Sequence, residues 1–250
     1  MIIETQEQLQ KLKEIGKICA EVRESMIEAA KPGITTKELD DLGGKIFRKY
    51  GAVSGPIAVY DFPGETCISV NDEIAHGIPG DRILMPGDMV NIDVSASLDG
   101  VFADTARSFF IGEGDKAGQH ILKTCHKALE AAINAAVAGR RINVIGKAIE
   151  ATARKNGCKL IKNLCGHGVG NTLHDDPEMI NNYYDPLDRR KLEKGLVIAL
   201  EPFIAEKEEY VIEDESDGWT LRTPMRTRAA QCEHTIVVTE GKAIIITALD

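Results

Sequence analysis

Hydrophobic positions near the start of the chain recur at helical spacing. Between residues 5 and 30, apolar side chains three and four positions apart predict one amphipathic helix, which ends at the sequence KPG. A second helix is predicted over ITTKELDDLGGKIFRKYGA, with Thr35 or Thr36 as its N-cap and Gly51 as its C-terminal stop. The chain therefore opens with two consecutive helices.

The same helical pattern returns about 100 residues later. Residues 119–137 predict a third helix, and RRINVIGKAIEATARKNG predicts a fourth that ends at Gly157. Gly33 lies 18 residues before Gly51, and Gly139 lies 18 residues before Gly157. This spacing indicates an internal repeat.

The repeat also relates two acidic residues. Asp93 follows Gly87 by six residues, and Glu201 follows Gly195 by six. The two acids are therefore predicted to occupy equivalent strands in the two copies of the repeat.

A histidine precedes each of these acids, His76 in AHGIPG and His167 in GHGVGN. We predict a single catalytic domain, residues 1–250, that is built of two pseudo-symmetric α+β halves. The halves cover about 5–115 and 116–250, and we expect the functional site to lie between them.

Three acidic residues lie in short apolar runs that are typical of buried strands: Asp93 in VNIDVS, Glu201 in VIALEP and Glu233 in QCEHTIVV. Strand alternation predicts that Cys232 and His234, which flank Glu233, point to the opposite face. A buried carboxylate is costly unless something compensates its charge. Several such acids together indicate bound cations.

The dipeptide Asp99-Gly100 predicts a two-residue hairpin turn between alternating strands. With that turn, Ser95 pairs with Asp104, so Asp93 and Asp104 share a face. Their backbones are then about 7–8 Å apart, which suits two carboxylates that grip one cation or a close pair of cations. An exposed hairpin face with both acids in solvent is the alternative.

The composition is that of an ordinary globular protein, with 43% hydrophobic and 28% charged residues. The net charge of −9 argues against a basic nucleic-acid surface. The N-terminus has no signal-peptide pattern and no apolar run approaches about 18 residues, so we expect no membrane segment. The six cysteines form no CxxC pair, which favours reduced thiols in the cytoplasm.

Charge counting favours two metal ions. Asp93, Asp104, Glu201 and Glu233 carry four negative charges when ionised, and two divalent ions balance them, while His167 adds a neutral nitrogen. Oxygen-rich ligation with one nitrogen suits manganese, iron(II) or cobalt better than a structural zinc site, and the identity of the metal stays open. Two-metal sites activate water and polarise carbonyl or phosphoryl oxygens, so a hydrolase is the leading class.

Further residues are candidates for the surroundings of these ligands. His76 is equivalent to His167 in the repeat, and His174 lies seven residues after His167. Cys67 is either a pocket wall or a buried structural thiol. Trp219, the single tryptophan, is either a pocket wall or a core or interface residue.

The whole chain resembles the type I methionine aminopeptidases. The segments NDEIAHGIPG, VNIDVS, ADTAR, CGHGVG, LHDDP, ALEP, DGWT and EHTIVVT occur in the order found in that family. The resemblance implies an α+β pita-bread fold with pseudo-twofold symmetry, in which helices cover a central antiparallel sheet. It also implies a monomeric, cytoplasmic enzyme that removes N-terminal methionine from nascent proteins and peptides, preferentially before a small second residue.

The resemblance also implies a set of metal ligands. Two divalent ions, with cobalt, manganese, iron(II) and zinc as candidates, are expected to be held by Asp93, Asp104, His167, Glu201 and Glu233. In that family the matches to Asp104 and Glu233 bridge the two ions.

The family's catalytic groups carry over to three positions. The resemblance implies that His76 and His174 bind the substrate and the developing tetrahedral intermediate, with His174 as an oxyanion donor. It implies that Glu201 shuttles a proton. Cys67 and Trp219 complete the predicted substrate pocket.

The sequence departs from the family pattern around the substrate rather than around the metals. Val101-Phe102-Ala103 precedes Asp104, where a histidine and a glycine are common. Val59 and Leu173 each stand where an aromatic residue is common. These differences bear on the range of substrates more than on the reaction.

Three other functions stay open at this point. An X-Pro peptidase of the same fold normally carries an extra N-terminal domain, whereas the helical repeat here starts at about residue 5. A non-catalytic binding protein on this fold would typically have lost metal ligands. A two-metal phosphoesterase would be expected to have a phosphate-cradling loop, which the sequence does not indicate.

Overall fold

Helices occupy two regions of the chain. The computed structural model describes residues 1–249. Within them, the helices are α1 Gln6–Ala29, α2 Thr36–Tyr50, α3 Gly55–Tyr60, α4 Lys116–Ala135 and α5 Asn143–Lys155.

Short strands form four sheets within the described residues. The strands are β1 Val53–Ser54, β2 Cys67–Val70, β3 Glu73–Ala75, β4 Met89–Leu98, β5 Val101–Phe110, β6 Lys159–Leu160, β7 Cys165–Gly168, β8 Asp175–Asn181, β9 Val197–Leu200, β10 Phe203–Ala205, β11 Ile212–Glu213, β12 Leu221–Arg222, β13 Ala229–Gln231, β14 His234–Val237 and β15 Ile244–Ile245. The strand orders are β1-β4-β2 with β5 beside β4, β13-β10-β6, β11-β12-β3 and β15-β14-β9-β7-β8. All pairs of these strands are antiparallel, so the predicted α+β class with antiparallel sheets is confirmed.

The first two helices begin and end where the sequence predicts. The hydroxyl of Thr5 accepts a hydrogen bond from the Gln8 amide, and the Gln8 side chain accepts one from the Thr5 amide. Thr35 and Glu38 form the same reciprocal cap on α2. A cap of this kind stabilises a helix start by about 1 kcal/mol. α2 ends at Gly51, where φ is 70°.

The third predicted helix, α4, begins three residues earlier than expected. The carboxylate of Asp115 accepts a hydrogen bond from the Gly118 amide at 2.8 Å, which makes Asp115 the N-cap. The sequence pattern missed this start because Asp115 lies in a glycine-rich segment that reads as a loop.

The glycines that mark the repeat share one backbone conformation. The angle φ is 96° at Gly33 and 83° at Gly139, 70° at Gly51 and 69° at Gly157, and 90° at Gly87 and 85° at Gly195. This left-handed region is open to glycine at no steric cost. The two segments therefore turn in the same way at equivalent positions.

Two hydrophobic clusters hold the helices on the sheets. One packs α1 and α2 on the β4–β5 hairpin and includes Leu12, Ile15, Val22, Ile92 and Val94. The other packs α4 and α5 on later strands and includes Ile121, Leu129, Ile145, Leu200 and Ile204. Burial of each such aliphatic side chain contributes roughly 1.5–3 kcal/mol. These clusters fix the strands that carry or flank the acidic residues.

The β4–β5 hairpin has the predicted register. Ser95 lies opposite Asp104. Asp99 and Gly100 at the turn have φ angles of 50° and 79°, as a two-residue turn of this type requires. Asp93 is two residues from Ser95, so Asp93 and Asp104 share a face of the sheet.

Glu201 and Glu233 lie at breaks between strands, and the prediction that each lies within a strand is wrong. Glu201 falls between β9 and β10, and Glu233 falls between β13 and β14. Pro202 has no N–H to donate to a sheet ladder. The amide of Glu233 donates instead to the carbonyl of Ala106 in β5, at 2.8 Å. Each acid thus marks the point where the chain passes from one sheet into the next.

None of the helices within residues 1–249 combines the length and the apolar composition that a membrane crossing requires.

Candidate metal centre

One cavity collects the residues that the sequence singled out. It has a volume of about 200 Å³. All nine candidate residues line it, namely Cys67, His76, Asp93, Asp104, His167, His174, Glu201, Trp219 and Glu233. Residues that are up to 166 positions apart in the chain therefore meet in one place.

The hairpin contributes the first two acids. Asp93 and Asp104 project from the same face of neighbouring strands, and both line the cavity. Two carboxyl groups that enter one cavity from neighbouring strands can share a proton or a cation. Opposite Asp93 on β2 lies Cys67, which brings its thiol to the same cavity.

The second pair of acids face each other across a sheet junction. On one side of the junction His234 opposes Leu200, and on the other side Gln231 opposes Phe203. The register is continuous, so Glu201 lies opposite Glu233.

The side chain of Gln231 links these two glutamates. Its Nε2 atom donates to Oε2 of Glu201 at 3.1 Å and reaches Oε2 of Glu233 at 3.5 Å. Its Oε1 atom accepts from Nδ2 of Asn91 at 2.6 Å. Gln231 is a site residue that the sequence motifs do not mark, although strand alternation places it on the same face as Glu233, two residues away.

His167 faces the acids with one defined ring nitrogen. Its Nδ1 atom lies 2.8 Å from the carbonyl oxygen of Gly168, and since a carbonyl can only accept, Nδ1 carries the proton. The Nε2 atom is then an unprotonated acceptor, 3.5 Å from Oε1 of Glu201 and 3.9 Å from Oδ2 of Asp104. An unprotonated imidazole nitrogen aimed at carboxylates is a typical metal ligand.

The glycines beside His167 let its strand lie close to its neighbours. A Cβ atom at Gly166 would stand 2.4 Å from the carbonyl oxygen of Ala199, and one at Gly168 would stand 2.4 Å from that of Asp176. Any larger residue at either position would push β7 away from β9 or β8, and His167 would move with it.

Burial makes the ionised acids unfavourable in the absence of a cation. Burial raises the pKa of Asp93 to about 6, and hydrogen bonds from Asp104 and Gln231 offset part of this effect. Burial and neighbouring carboxylates raise the pKa values of Asp104, Glu201 and Glu233 well above the usual range. The metal-free cluster therefore retains protons that a cation can displace.

Buried oxygen atoms without hydrogen-bond partners, as well as the charge of the acids, make the cluster suitable for a metal ion. Oδ1 of Asp104 and Oε1 of Glu233 are buried and have no hydrogen-bond partner within residues 1–249. One ligand atom each from Asp104, His167 and Glu233 lie within 4.8 Å of one another. Buried carboxylate oxygens without partners are uncommon, and coordination of a cation would satisfy them.

Two histidines stand at the mouth of the cavity. The ring of His174 lies 4.2 Å from the ring of His167, and its Nδ1 atom contacts the hydroxyl of Tyr60. His76 has a φ angle of 54°, in the left-handed region. The following residue, Gly77, lies so close to β2 that a Cβ atom would stand 2.3 Å from the carbonyl oxygen of Ile68, which fixes the turn that carries His76.

An apolar wall borders the acids. Trp219 packs edge-to-face on Phe62, with ring centroids 5.2 Å apart. Leu173 is buried and lines the same cavity, as does Cys67. No sequence pattern singles out Tyr60 or Phe62, because they lie in a segment without hydrophobic periodicity.

The neighbours of Glu233 point away from the cavity, as predicted. Nδ1 of His234 contacts Oγ1 of Thr247 at 2.9 Å, and the thiol of Cys232 lies 3.8 Å from Nε2 of His126. Neither residue lines the cavity.

Residues 10–240 match the sequence profile of metallopeptidase family M24. The chain belongs to metallopeptidase family M24. Its helices and antiparallel sheets form the pita-bread fold of this family, and as an M24 metallopeptidase it is a hydrolase that uses divalent metal.

Three methionine aminopeptidases are similar to this M24 chain over its full length. It is 48% identical over 251 residues to a methionine aminopeptidase of Staphylococcus epidermidis, with 100% of both chains covered. It is 48% identical over 250 residues to methionine aminopeptidase 2 of Bacillus subtilis, again with 100% of both covered. The crystal structure of a methionine aminopeptidase from Thermotoga maritima aligns with a TM-score of 0.95 and 34% identity over 100% of both chains.

Proposed function

We propose that this M24 hydrolase is a methionine aminopeptidase, which removes N-terminal methionine from peptides and nascent proteins and prefers a small second residue. The observation that carries the proposal is the apolar wall of Cys67, Leu173 and Trp219 directly beside the acid cluster. An unbranched, apolar methionine side chain suits such a wall. The full-length relatives that bear this name support the same function.

Five residues would hold two divalent ions in this proposal: Asp93, Asp104, His167, Glu201 and Glu233. When bound, the ions supply an activated water and a Lewis acid for the scissile carbonyl. Cobalt, manganese, iron(II) and zinc all remain candidates, since the oxygen-rich set with one nitrogen accepts each of them.

The remaining groups bind the substrate and move protons. The free amino group of the substrate would bind as a ligand to a metal ion held by the acid cluster, which explains cleavage at the first peptide bond. Glu201 takes up a proton during attack on the carbonyl and returns it to the departing amine. His76 and His174 donate hydrogen bonds to the substrate, and His174 stabilises the developing oxyanion.

The position of the site supports the preference for a small second residue. The methionine side chain lies against the wall, while the rest of the peptide leaves through the mouth beside His174 and Tyr60. A bulky second side chain would meet these two rings. The X-Pro alternative is disfavoured because relatives with full coverage at 48% identity are named methionine aminopeptidases.

The proposal includes a monomeric protein of one domain with two pseudo-symmetric halves that acts in the cytoplasm. The scattered cysteines and the net charge of −9 support this setting and disfavour nucleic-acid partners. The partner that the site requires is the free N-terminus of a polypeptide.

Mass spectrometry of a peptide panel tests the proposal. We expect release of methionine from Met-Ala-Ser and Met-Gly-Ser, slow release from Met-Leu-Ser and no cleavage of Leu-Ala-Ser. Equal cleavage of Leu-Ala-Ser would contradict the methionine assignment, and cleavage of Ala-Pro-Ser alone would favour the X-Pro alternative.

A further inference from the structure

A contact at the mouth of the cavity connects Tyr60 to His174. The hydroxyl of Tyr60 lies 2.5 Å from Nδ1 of His174. Their ring centroids are 5.5 Å apart, with the ring planes at 58°. The hydroxyl has no other hydrogen-bond partner among residues 1–249. This contact is therefore the only hydrogen bond that the Tyr60 side chain makes within the described residues.

The direction of this hydrogen bond follows from the chemistry of the two groups. A phenol is protonated at neutral pH, and burial together with the nearby Asp104 raises the pKa of Tyr60 further. A phenol is a better donor than acceptor and an unprotonated imidazole nitrogen is a strong acceptor, so we expect Tyr60 to donate to Nδ1. Nδ1 is then the unprotonated nitrogen of a neutral imidazole, and the ring proton resides on Nε2.

The backbone holds both partners of this contact in place. Tyr60 is the last residue of α3, which begins at a Ser54 cap and packs on β4, where a Cβ atom at Gly55 would stand 3.0 Å from Oγ of Ser95. His174 follows the buried Leu173 and precedes Asp175, whose carboxylate accepts hydrogen bonds from the Asn171 amide and side chain.

We propose that Tyr60 is a positioning residue that keeps the proton of His174 on Nε2, as a hydrogen-bond donor for the substrate. Nε2 of His174 has no hydrogen-bond partner within residues 1–249, and the residue lines the cavity, so this N–H is left for a ligand. An oxyanion donor requires a proton on the nitrogen that faces the substrate. The role of the His174 N–H in binding substrate rests on the proposed function, whereas the tautomer of the His174 ring does not depend on that function.

Nitrogen NMR of histidine tests the tautomer without any reaction. Metal-free protein labelled with 15N-histidine is measured at pH 8, and the His174 signals are assigned by their loss in His174→Ala. We expect the wild-type protein to show the Nε2–H tautomer alone, and Tyr60→Phe to show a mixture of both tautomers. Tyr50→Phe is the matched control, because Tyr50 is similarly exposed at a helix end and its hydroxyl donates to Glu21 instead. An unchanged His174 tautomer in Tyr60→Phe would overturn the proposal.

Kinetics test whether Tyr60 acts through His174. We expect Tyr60→Phe to lower kcat about tenfold with KM within about twofold of the wild-type value, since the ring remains and only the hydroxyl is lost. In the His174→Ala background, the same substitution should change kcat by less than about twofold. A similar loss in both backgrounds would show that Tyr60 acts independently of His174. If the wild-type protein releases no methionine, the proposed function fails, and the NMR result still decides the tautomer.

Discussion

The Nε2 atom of His167 lies 3.9 Å from Oδ2 of Asp104, so an imidazole from β7 meets a carboxylate from β5. Thr235 on β14 holds the backbone of Asp104 in place. Its hydroxyl accepts from the Asp104 amide at 2.9 Å and donates to the Asp104 carbonyl at 2.8 Å. Asp104 is thus fixed at the junction between the early hairpin and the later strands. Its position makes it the acid whose loss should be most informative.

Replacement of Asp104 by asparagine should abolish peptidase activity and leave the fold intact. The substitution preserves shape but removes a charge that the metal ions require, and we expect kcat to fall by at least about a thousandfold. Circular dichroism should be unchanged, and metal-free stability should change little, because burial opposes the ionisation of Asp104 and asparagine is an uncharged side chain of the same shape. Asp99→Asn at the tip of the same hairpin is the control and should retain activity. Activity near that of wild type in Asp104→Asn would show that Asp104 does not hold metal.

The metal-free protein should lose stability relative to Asp93→Asn as the pH rises. The folded pKa of Asp93 is about 6, above an unfolded value of about 3.9. The folded state therefore binds the proton more tightly, and this stabilisation is complete below pH 4 and is lost as the pH passes through 6. Comparison of the two proteins cancels the opposing contributions of histidines. The change in the difference in unfolding free energy should reach about 3 kcal/mol by pH 8.

Urea unfolding of both chelator-treated proteins at several pH values between 4 and 8 measures this difference. Added manganese should reverse the sign of this difference, so that the wild-type protein becomes more stable than Asp93→Asn. The reason is that cations and protons compete for the same carboxylate oxygens, and cations bind the ionised form. A difference that does not vary with pH would contradict the raised pKa of Asp93.

Loss of the Gln231 amide should weaken metal binding. Gln231→Met keeps the length of the side chain but removes the donor that orients Glu201 and Glu233. Outer hydrogen bonds of this kind are worth about 10–100-fold in metal affinity. Competition with a chromophoric chelator measures the effect, and Gln119→Met, on the exposed surface of α4, is the control. Equal metal affinity in both variants would show that Gln231 does not orient the glutamates.

Truncation of Trp219 should impair substrate binding more than chemistry. Trp219→Ala removes one wall of the cavity and its contact with Phe62. We expect KM for methionine peptides to rise about tenfold, which corresponds to the loss of part of one buried apolar contact, while metal affinity stays unchanged. Tyr210→Ala is the control, since Tyr210 is an exposed aromatic residue outside the cavity. A fall in kcat alone, with KM unchanged, would argue against a pocket wall.

The sequence predicted those features that depend on neighbours in the chain. Asp99-Gly100 determined the hairpin register, and therefore the common face of Asp93 and Asp104. The glycines at 51 and 157 predicted where helices end. These features follow from local geometry, in which turn residues and hydrophobic spacing are sufficient.

The features that the sequence did not predict depend on partners distant in the chain. The strand break at Glu233 arises because β5 supplies the carbonyl of Ala106, which no local pattern reveals. The contact of Tyr60 with His174 joins residues 114 positions apart. Gln231 is the exception, because its place two residues before Glu233 could have been read from strand alternation.

The most direct test is a metal titration of chelator-treated protein with Met-Ala-Ser as substrate, in which free methionine is measured. The site predicts no release without metal and release that rises with added manganese, cobalt, iron(II) or zinc and saturates with two ions bound per chain. Asp104→Asn should release none at any metal concentration. Absence of methionine release with all four metals, or undiminished release after complete metal removal, would contradict the assignment of this cavity as a two-metal peptidase site.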